Sequence, residues 1–350
     1  MKKPKNALKM PGEGKQMNSN TVLLLITIIL FIVLYAAGCI VYGSRGFTNL
    51  QTFLNILRSN AGLICVACGM TCVMLTGGID ISVGSLVAMD CMMLAYGMAK
   101  GVSAPLMCLA VIVVGLVFGL VQGYCVGYLQ IQPFIVSMAG MFFARGMTAV
   151  ISTNQLSITS DISQTFYNWA NFRFYLPFGG VANRKGEVIM PYFGIGVVIA
   201  IVVLIVVFLM LRYTKFGRSL YAVGGSQQSA AMMGLNVKKT QLKAYVLCSF
   251  LTSIGGICYC MNTMSASVSQ ATGLEMQAIA SSVIGGTLLT GGVGNVIGSF
   301  FGVLINGTIS AIVQTNGKLA SSWPNILTAA LLCFFIVLQS IFALLKERKK

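Results

Sequence analysis

Long apolar runs govern what this chain can fold into. Thr21–Tyr42, Asn60–Gly77, Ser82–Ala99, Ser103–Gly127, Phe134–Ile151, Pro191–Leu211, Ala244–Asn262, Val293–Val313 and Trp323–Leu345 approach the roughly 20 residues that cross a bilayer core. Glu275–Leu289 is a shorter tenth run. Only 9% of the 350 residues are charged, against about 25% in a soluble domain. The expectation is an all-α polytopic membrane protein of about ten transmembrane helices. It forms one membrane domain, 21–345, between a polar tail, 1–20, and a basic tail, 346–350. Ala36-Ala37-Gly38-Cys39 has the look of a lipoprotein cleavage site. The apolar run continues past that cysteine and exceeds a signal h-region of about 7–15 residues, so a retained helix is expected.

The net charge of +16 sits in clusters beside apolar runs, which marks topology and not nucleic-acid binding. With ten spans, fifteen Lys and Arg lie on the side of the termini and of Arg212–Lys243, and seven on the other. Arg145, within a span, is uncounted. The positive-inside rule then places both termini and Arg212–Lys243 in the cytoplasm. No histidine is present, which removes the commonest metal ligand and proton carrier. Cys65, Cys68 and Cys72 share a helical face, but without histidine or a nearby acid they read as small apolar residues.

Thr76–Ser85 interrupts two apolar runs with three glycines, two serines and Asp80. Irregular backbone at membrane depth survives where protein buries it or water reaches it. An ionisable group there points to function; an Asp capping a helical turn is the bland reading. The segment Leu75–Ser85 has an echo, without the acid, in Leu289–Ser299. Gly115, Gly119, Gly123 and Gly127 clear one helix face for close packing. Arg145 is expensive within a span unless it pairs, with Asp80, Asp90 or Glu275, or faces a cavity.

Arg212–Lys243 is the sizeable polar segment of the second half. Within it Ser226 can cap a short helix over Ser226–Met233, and Gly234 can end it in the left-handed conformation. Ala230, Ala231, Met232 and Met233 would leave an apolar patch facing water. Such a patch marks a docking surface; a helix lying flat on the membrane fits as well. No phosphate-loop motif occurs, so any ATP-derived energy must enter through another chain.

Four blocks resemble the permease subunits of bacterial ATP-binding-cassette sugar importers, the ribose, xylose, galactose and galactofuranose group related to branched-chain amino acid permeases. They are Leu75–Ser85, Gln132–Gly146, Phe216–Gly225 and Ala278–Gly292. The resemblance implies a location in the bacterial inner membrane and no catalysis by this chain. ATP and Mg belong to cytoplasmic ATP-binding subunits. It also implies a sugar-binding protein on the outer face and a second permease, identical or related. It implies that Ser226, Gln227, Gln228, Ala230, Ala231, Met232, Met233 and Gly234 form the coupling helix that docks in the ATP-binding subunit. The glutamate that precedes Ala-Ala in other importers is missing here. Ser321–Pro324 is most like galactofuranose-type permeases. A sugar path needs hydrogen-bonding groups, and Asn60, Thr71, Asp80, Ser82, Gln132, Ser137, Arg145, Thr148 and Glu275 are the candidates. Each could instead satisfy a neighbouring backbone group. The rival readings are a secondary carrier that uses Asp80 and Glu275 for ion coupling, and a channel or scaffold; neither needs a docking segment.

Overall fold

The computed structural model describes residues 19–182, 188–320 and 322–347. The first helix, α1 (Ser19–Tyr42), and a 3-10 turn lead to α2 (Leu50–Ser59) and α3 (Ala61–Leu75). Next come α4 (Val83–Ala99), α5 (Ala104–Gly127) and α6 (Pro133–Ile151). A connector holds β1 (Leu156–Ser157), α7 (Gln164–Asn171), β2 (Arg173–Tyr175), β3 (Val181–Ala182), β4 (Val188–Ile189) and β5 (Tyr192–Gly194). The second half has α8 (Ile195–Tyr213), α9 (Lys215–Gly225), α10 (Gln227–Met232), α11 (Val237–Thr263), β6 (Ser265–Ala266), α12 (Leu274–Ile284), α13 (Val296–Asn316) and α14 (Trp323–Glu347). Most of the tails, 1–18 and 348–350, lies outside the described residues.

Six helices are long and apolar enough to cross a membrane, among the described residues. The bent pair α2 and α3 makes a seventh. The chain is mostly helical, with short strands confined to its connectors. Among the described residues six short strands form three antiparallel pairs, β1 with β6, β2 with β5, and β3 with β4. They satisfy backbone groups in connectors that have no helix to do so. The second run also begins earlier than its hydropathy suggests. Leu50–Ser59 is helical and meets α3 at 55°. Asn60 sits at this elbow, with its Nδ2 donating to the Ile56 carbonyl at 2.8 Å.

Every residue of α3 is buried, and α11, α12, α13 and α8 pack around it. Cys65, Cys68 and Cys72 lie inside this core. The apolar side chains left outside, such as Ile29 and Ile32 on α1, Val113 and Val117 on α5, and Phe142 on α6, fit a hydrocarbon surround.

The glycine face of α5 meets α11. A Cβ on Gly119 would stand 2.8 Å from Val246 Cα, and one on Gly123 2.7 Å from the Leu242 carbonyl. A Cβ on Gly127 would stand 2.6 Å from the Lys238 carbonyl. Spacing by four therefore brings two backbones together over three turns, as small residues do between helices in lipid. Polar side chains add interhelical bonds elsewhere. Thr27 Oγ1 of α1 donates to the Ile284 carbonyl of α12 at 2.6 Å, and Asn306 Nδ2 of α13 donates to Ser281 Oγ at 2.8 Å. Arg45 donates to the Thr315 and Asn316 carbonyls and so caps the end of α13.

Candidate functional site

Three glycine pairs from distant parts of the chain meet at one point. The break after α3 supplies Gly77 and Gly78. The end of α9 supplies Gly224 and Gly225, and the break after α12 supplies Gly291 and Gly292. The Leu75 carbonyl, left open where α3 ends, accepts the Gly292 N–H at 2.9 Å. A Cβ on Gly224 would land on both partners of that bond. Gly77 and Gly291 hold equivalent places in the two echoing segments, and both are left-handed, with φ of 79° and 87°. A Cβ on Gly291 would stand 2.7 Å from Gly77 N and 3.1 Å from Gly224 Cα. Tyr221 ties α9 to the same break, its hydroxyl donating to the Gly294 carbonyl at 3.1 Å.

One residue beyond this junction, α10 begins. Ser226 caps it by accepting the Ser229 N–H at 3.2 Å. Gly234 closes it at φ 80°, and Leu235 N–H returns to the Ala230 carbonyl at 3.0 Å. This is the left-handed helix stop that a glycine permits. Met232 and Met233 are 78% and 69% exposed, and Gln227, Gln228 and Ala231 are exposed too. Ala230 departs from the expected patch, because its methyl is fully buried. The helix thus has an anchored face and a free face. Preceding it, α9 is a separate amphipathic helix that hydropathy did not mark; Leu220 and Val223 are buried.

Asp80 and Ser82 are fully buried in the break. Asp80 Oδ1 accepts from Ser82 N–H at 3.0 Å and from Ser82 Oγ, an Asx turn leading into α4. Gln122 Nε2 of α5 donates to Ser82 Oγ at 3.0 Å. Asp80, Ser82 and Gln122 therefore form a chain from the break to the glycine face of α5. Gln122 stands beside Gly123 in sequence, but its polarity gave no hint of this partner.

Several other candidates satisfy neighbouring groups in this conformation, for one physical reason. Thr71 Oγ1 donates to the Ala67 carbonyl at 2.7 Å and lies 2.7 Å from Ser299 Oγ. Ser137 Oγ and Thr148 Oγ1 donate to the Phe134 and Ala144 carbonyls. All three hydroxyls, like Asp80 and Ser82, are buried. Asn60 spends its amide on its own helix. In an apolar surround a short polar side chain finds its nearest carbonyl first.

The other candidates remain reachable. Gln132 is exposed, while Arg145 and Glu275, like Asn60, are partly exposed. The alternatives for Arg145 are a carboxylate partner or a cavity. Instead its Nη1 donates to the Val268 and Gln270 carbonyls at 2.7 and 2.8 Å, tying α6 to the connector before α12. Glu275 Oε1 accepts the Gly273 N–H at 3.2 Å and Oε2 lies against Gly84.

A cavity of about 1170 Å³ opens between α4, α5 and α6. Its lining is apolar except for Gln122 and Tyr96, so it offers a polyhydroxylated solute almost no partners.

The family described as "Branched-chain amino acid transport system / permease component" matches residues 52–338. The chain is 37% identical over 310 residues to the inner membrane ABC transporter permease protein YjfF of Escherichia coli, covering 87% of this chain and 88% of that protein. It is 34% identical to the fructose import permease protein FruG of Bifidobacterium longum, covering 95% of each. It is 32% identical to the ribose import permease protein RbsC of Escherichia coli, covering 84% of this chain and 87% of that protein. No solved structure matches the chain.

Proposed function

Because the chain belongs to the branched-chain amino acid transport system permease family, we propose that it is the membrane subunit of an ATP-binding-cassette importer for a monosaccharide. Relatives named for fructose, ribose and galactose support the sugar class. Their description as ABC or import permeases favours this reading over an ion-coupled carrier or a channel.

In this reading all ten apolar segments cross the membrane. The seven spans described above are joined by the apolar helices α4, α12 and α14. Both termini and the segment from α9 to the start of α11 face the cytoplasm. A second permease subunit packs against the exposed apolar faces of α6 and α14, where Phe134, Phe142 and Phe334 point outward. Sugar arrives from an outer binding protein and passes between the two subunits. Asn60, Gln132, Arg145 and Glu275 are the path candidates with accessible surface in this conformation.

The observation that carries the reading is the glycine junction. A docking helix that needs to move membrane segments must be joined to them without slack. Gly225 is separated from α10 by Ser226 alone, and Gly224 before it touches the backbones of both breaks. A push on Met232 and Met233 by a closing ATP-binding subunit would therefore reach α3 and α12 directly.

The test is co-purification with the ATP-binding subunit. Changing Met232 and Met233 together to aspartate puts two charges into the proposed interface. It should weaken capture by about 30-fold or more, the scale of a lost interface hot spot. Unchanged capture would contradict the docking role. Binding-protein-dependent ATP hydrolysis, screened over D-ribose, D-fructose and D-galactose, identifies the cargo.

A further inference from the structure

A second, smaller cavity of about 200 Å³ lies where the α5–α6 turn, the α3–α4 break and the first residue of α10 come together. Gln130, Gln132, Gln227 and Gln241 line it, with Thr76 and Tyr245. Gly77 and Gly78 bring the junction backbone into its wall. None of its lining residues is charged. Its volume equals that of about seven water molecules in the liquid, the size class of a pentose or hexose and too small for a disaccharide.

Two features mark it as built for a ligand. Gln241 is only 6% exposed, and its Oε1 is buried with no partner. A buried acceptor left unpaired is costly, so this oxygen keeps the capacity to take a donor that its protein neighbours do not supply. Gln130 has φ 56°, a conformation that a glutamine rarely adopts, and its Nε2 donates to the Gly127 carbonyl at 2.6 Å. Backbone strain of this kind gathers at ligand clamps. Gln132, at the cap position of α6, makes no capping bond with its side chain.

We infer that this cavity is a binding site for the transported class of solute, a neutral monosaccharide, at the end of the molecule that bears α10. The inference rests on the proposed function. Each carboxamide both donates and accepts, as does each sugar hydroxyl, and an ion would find no counter-charge. A sugar held here bridges Gln227 of α10, Gln132 at the start of α6 and Gln241 of α11. These elements must shift relative to one another for the docking helix to transmit a stroke. Occupancy therefore holds the docking helix in the present conformation and slows the cycle when sugar accumulates inside.

The experiment uses the complete transporter in lipid nanodiscs, with its binding protein saturated. ATP hydrolysis is followed while D-ribose, D-fructose or D-galactose is added in excess, with sucrose as the size control. The expected result is inhibition by the sugar that drives import and none by sucrose. Gln241→Leu should raise the half-inhibitory concentration about tenfold, the scale of one hydrogen bond lost in a dry site. Gln130→Gly, which relieves the backbone and removes the side chain, should do the same if Gln241→Leu fails to assemble. Rates are read as the ratio of inhibited to uninhibited turnover, so changes in basal activity cancel. Absence of inhibition in the wild type, or an equal half-inhibitory concentration in the variants, overturns the site. If binding protein fails to stimulate hydrolysis with any of the three sugars, the proposed function fails instead.

Discussion

Gly224 shows how much can depend on a missing methyl. Gly224→Ala places carbon on the Leu75–Gly292 hydrogen bond, and backbone cannot yield as a flexible side chain would. Overpacking of this kind costs about 1–3 kcal/mol. The expected outcome is a lower melting temperature and a loss of uptake larger than the loss of assembled protein. Gly225→Ala is the matched control, because nothing lies within 4 Å of its added Cβ. It should transport like the wild type. Arg145 belongs to the same scale. Arg145→Met frees two carbonyls from a charged donor and should destabilise by about 1.5–3 kcal/mol, read by thermal unfolding in detergent. Arg145→Lys should recover part of that, since an ammonium still reaches a carbonyl but lacks the fixed fork of donors. Sequence made Asp80 and Arg145 visible as costly residues. It did not say what they bond. Asp80 turns back on Ser82, and Arg145 reaches across to another connector's backbone.

At the scale of elements, legibility followed periodicity and local chemistry. The glycine face of α5 predicted close packing, and the facing backbone of α11 supplies it. Ser226 and Gly234 marked the ends of α10 because a cap and a left-handed stop need only neighbouring residues. What was not legible were α2 and α9. Both are amphipathic and short, and their helicity is sustained by burial of one face, such as Leu54 and Leu57 on α2 and Leu220 and Val223 on α9. Thr71, Ser137 and Thr148 are turned onto their own helices for a related reason. Residue type announces hydrogen-bonding capacity, but a hydroxyl in a helix can spend it on a carbonyl three or four residues back. A bulky side chain tests the packing surface itself. Gly123→Leu should force α5 away from the Leu242 backbone and abolish stable assembly, seen as loss of a monodisperse peak in size-exclusion chromatography.

For the whole molecule, the claim is that energy enters from one side only. The basic residues predict that a reporter fused after Lys350 is active in the cytoplasm and one inserted after Lys318 is not. A reversed result would put the docking helix out of reach of any cytoplasmic motor. Uptake by reconstituted vesicles should stop when vanadate blocks nucleotide hydrolysis, whatever sugar gradient is imposed. Composition and hydropathy disclosed the membrane class and the apolar segments. The convergence of the two echoing breaks on the docking segment was invisible, because they are separated by more than two hundred positions and meet through bare backbone.

That meeting has a consequence for any attempt to rebuild the protein from parts. Two tight bends and the tip of a third segment interlock through main-chain atoms, leaving no side chain that can be trimmed to absorb a mismatch. Transplanting residues 214–236 from a relative to redirect the chain toward a foreign engine should yield a stalled hybrid. Restoring movement would require grafting 75–78 and 289–294 from the same donor, so that the three pieces travel as one inherited unit.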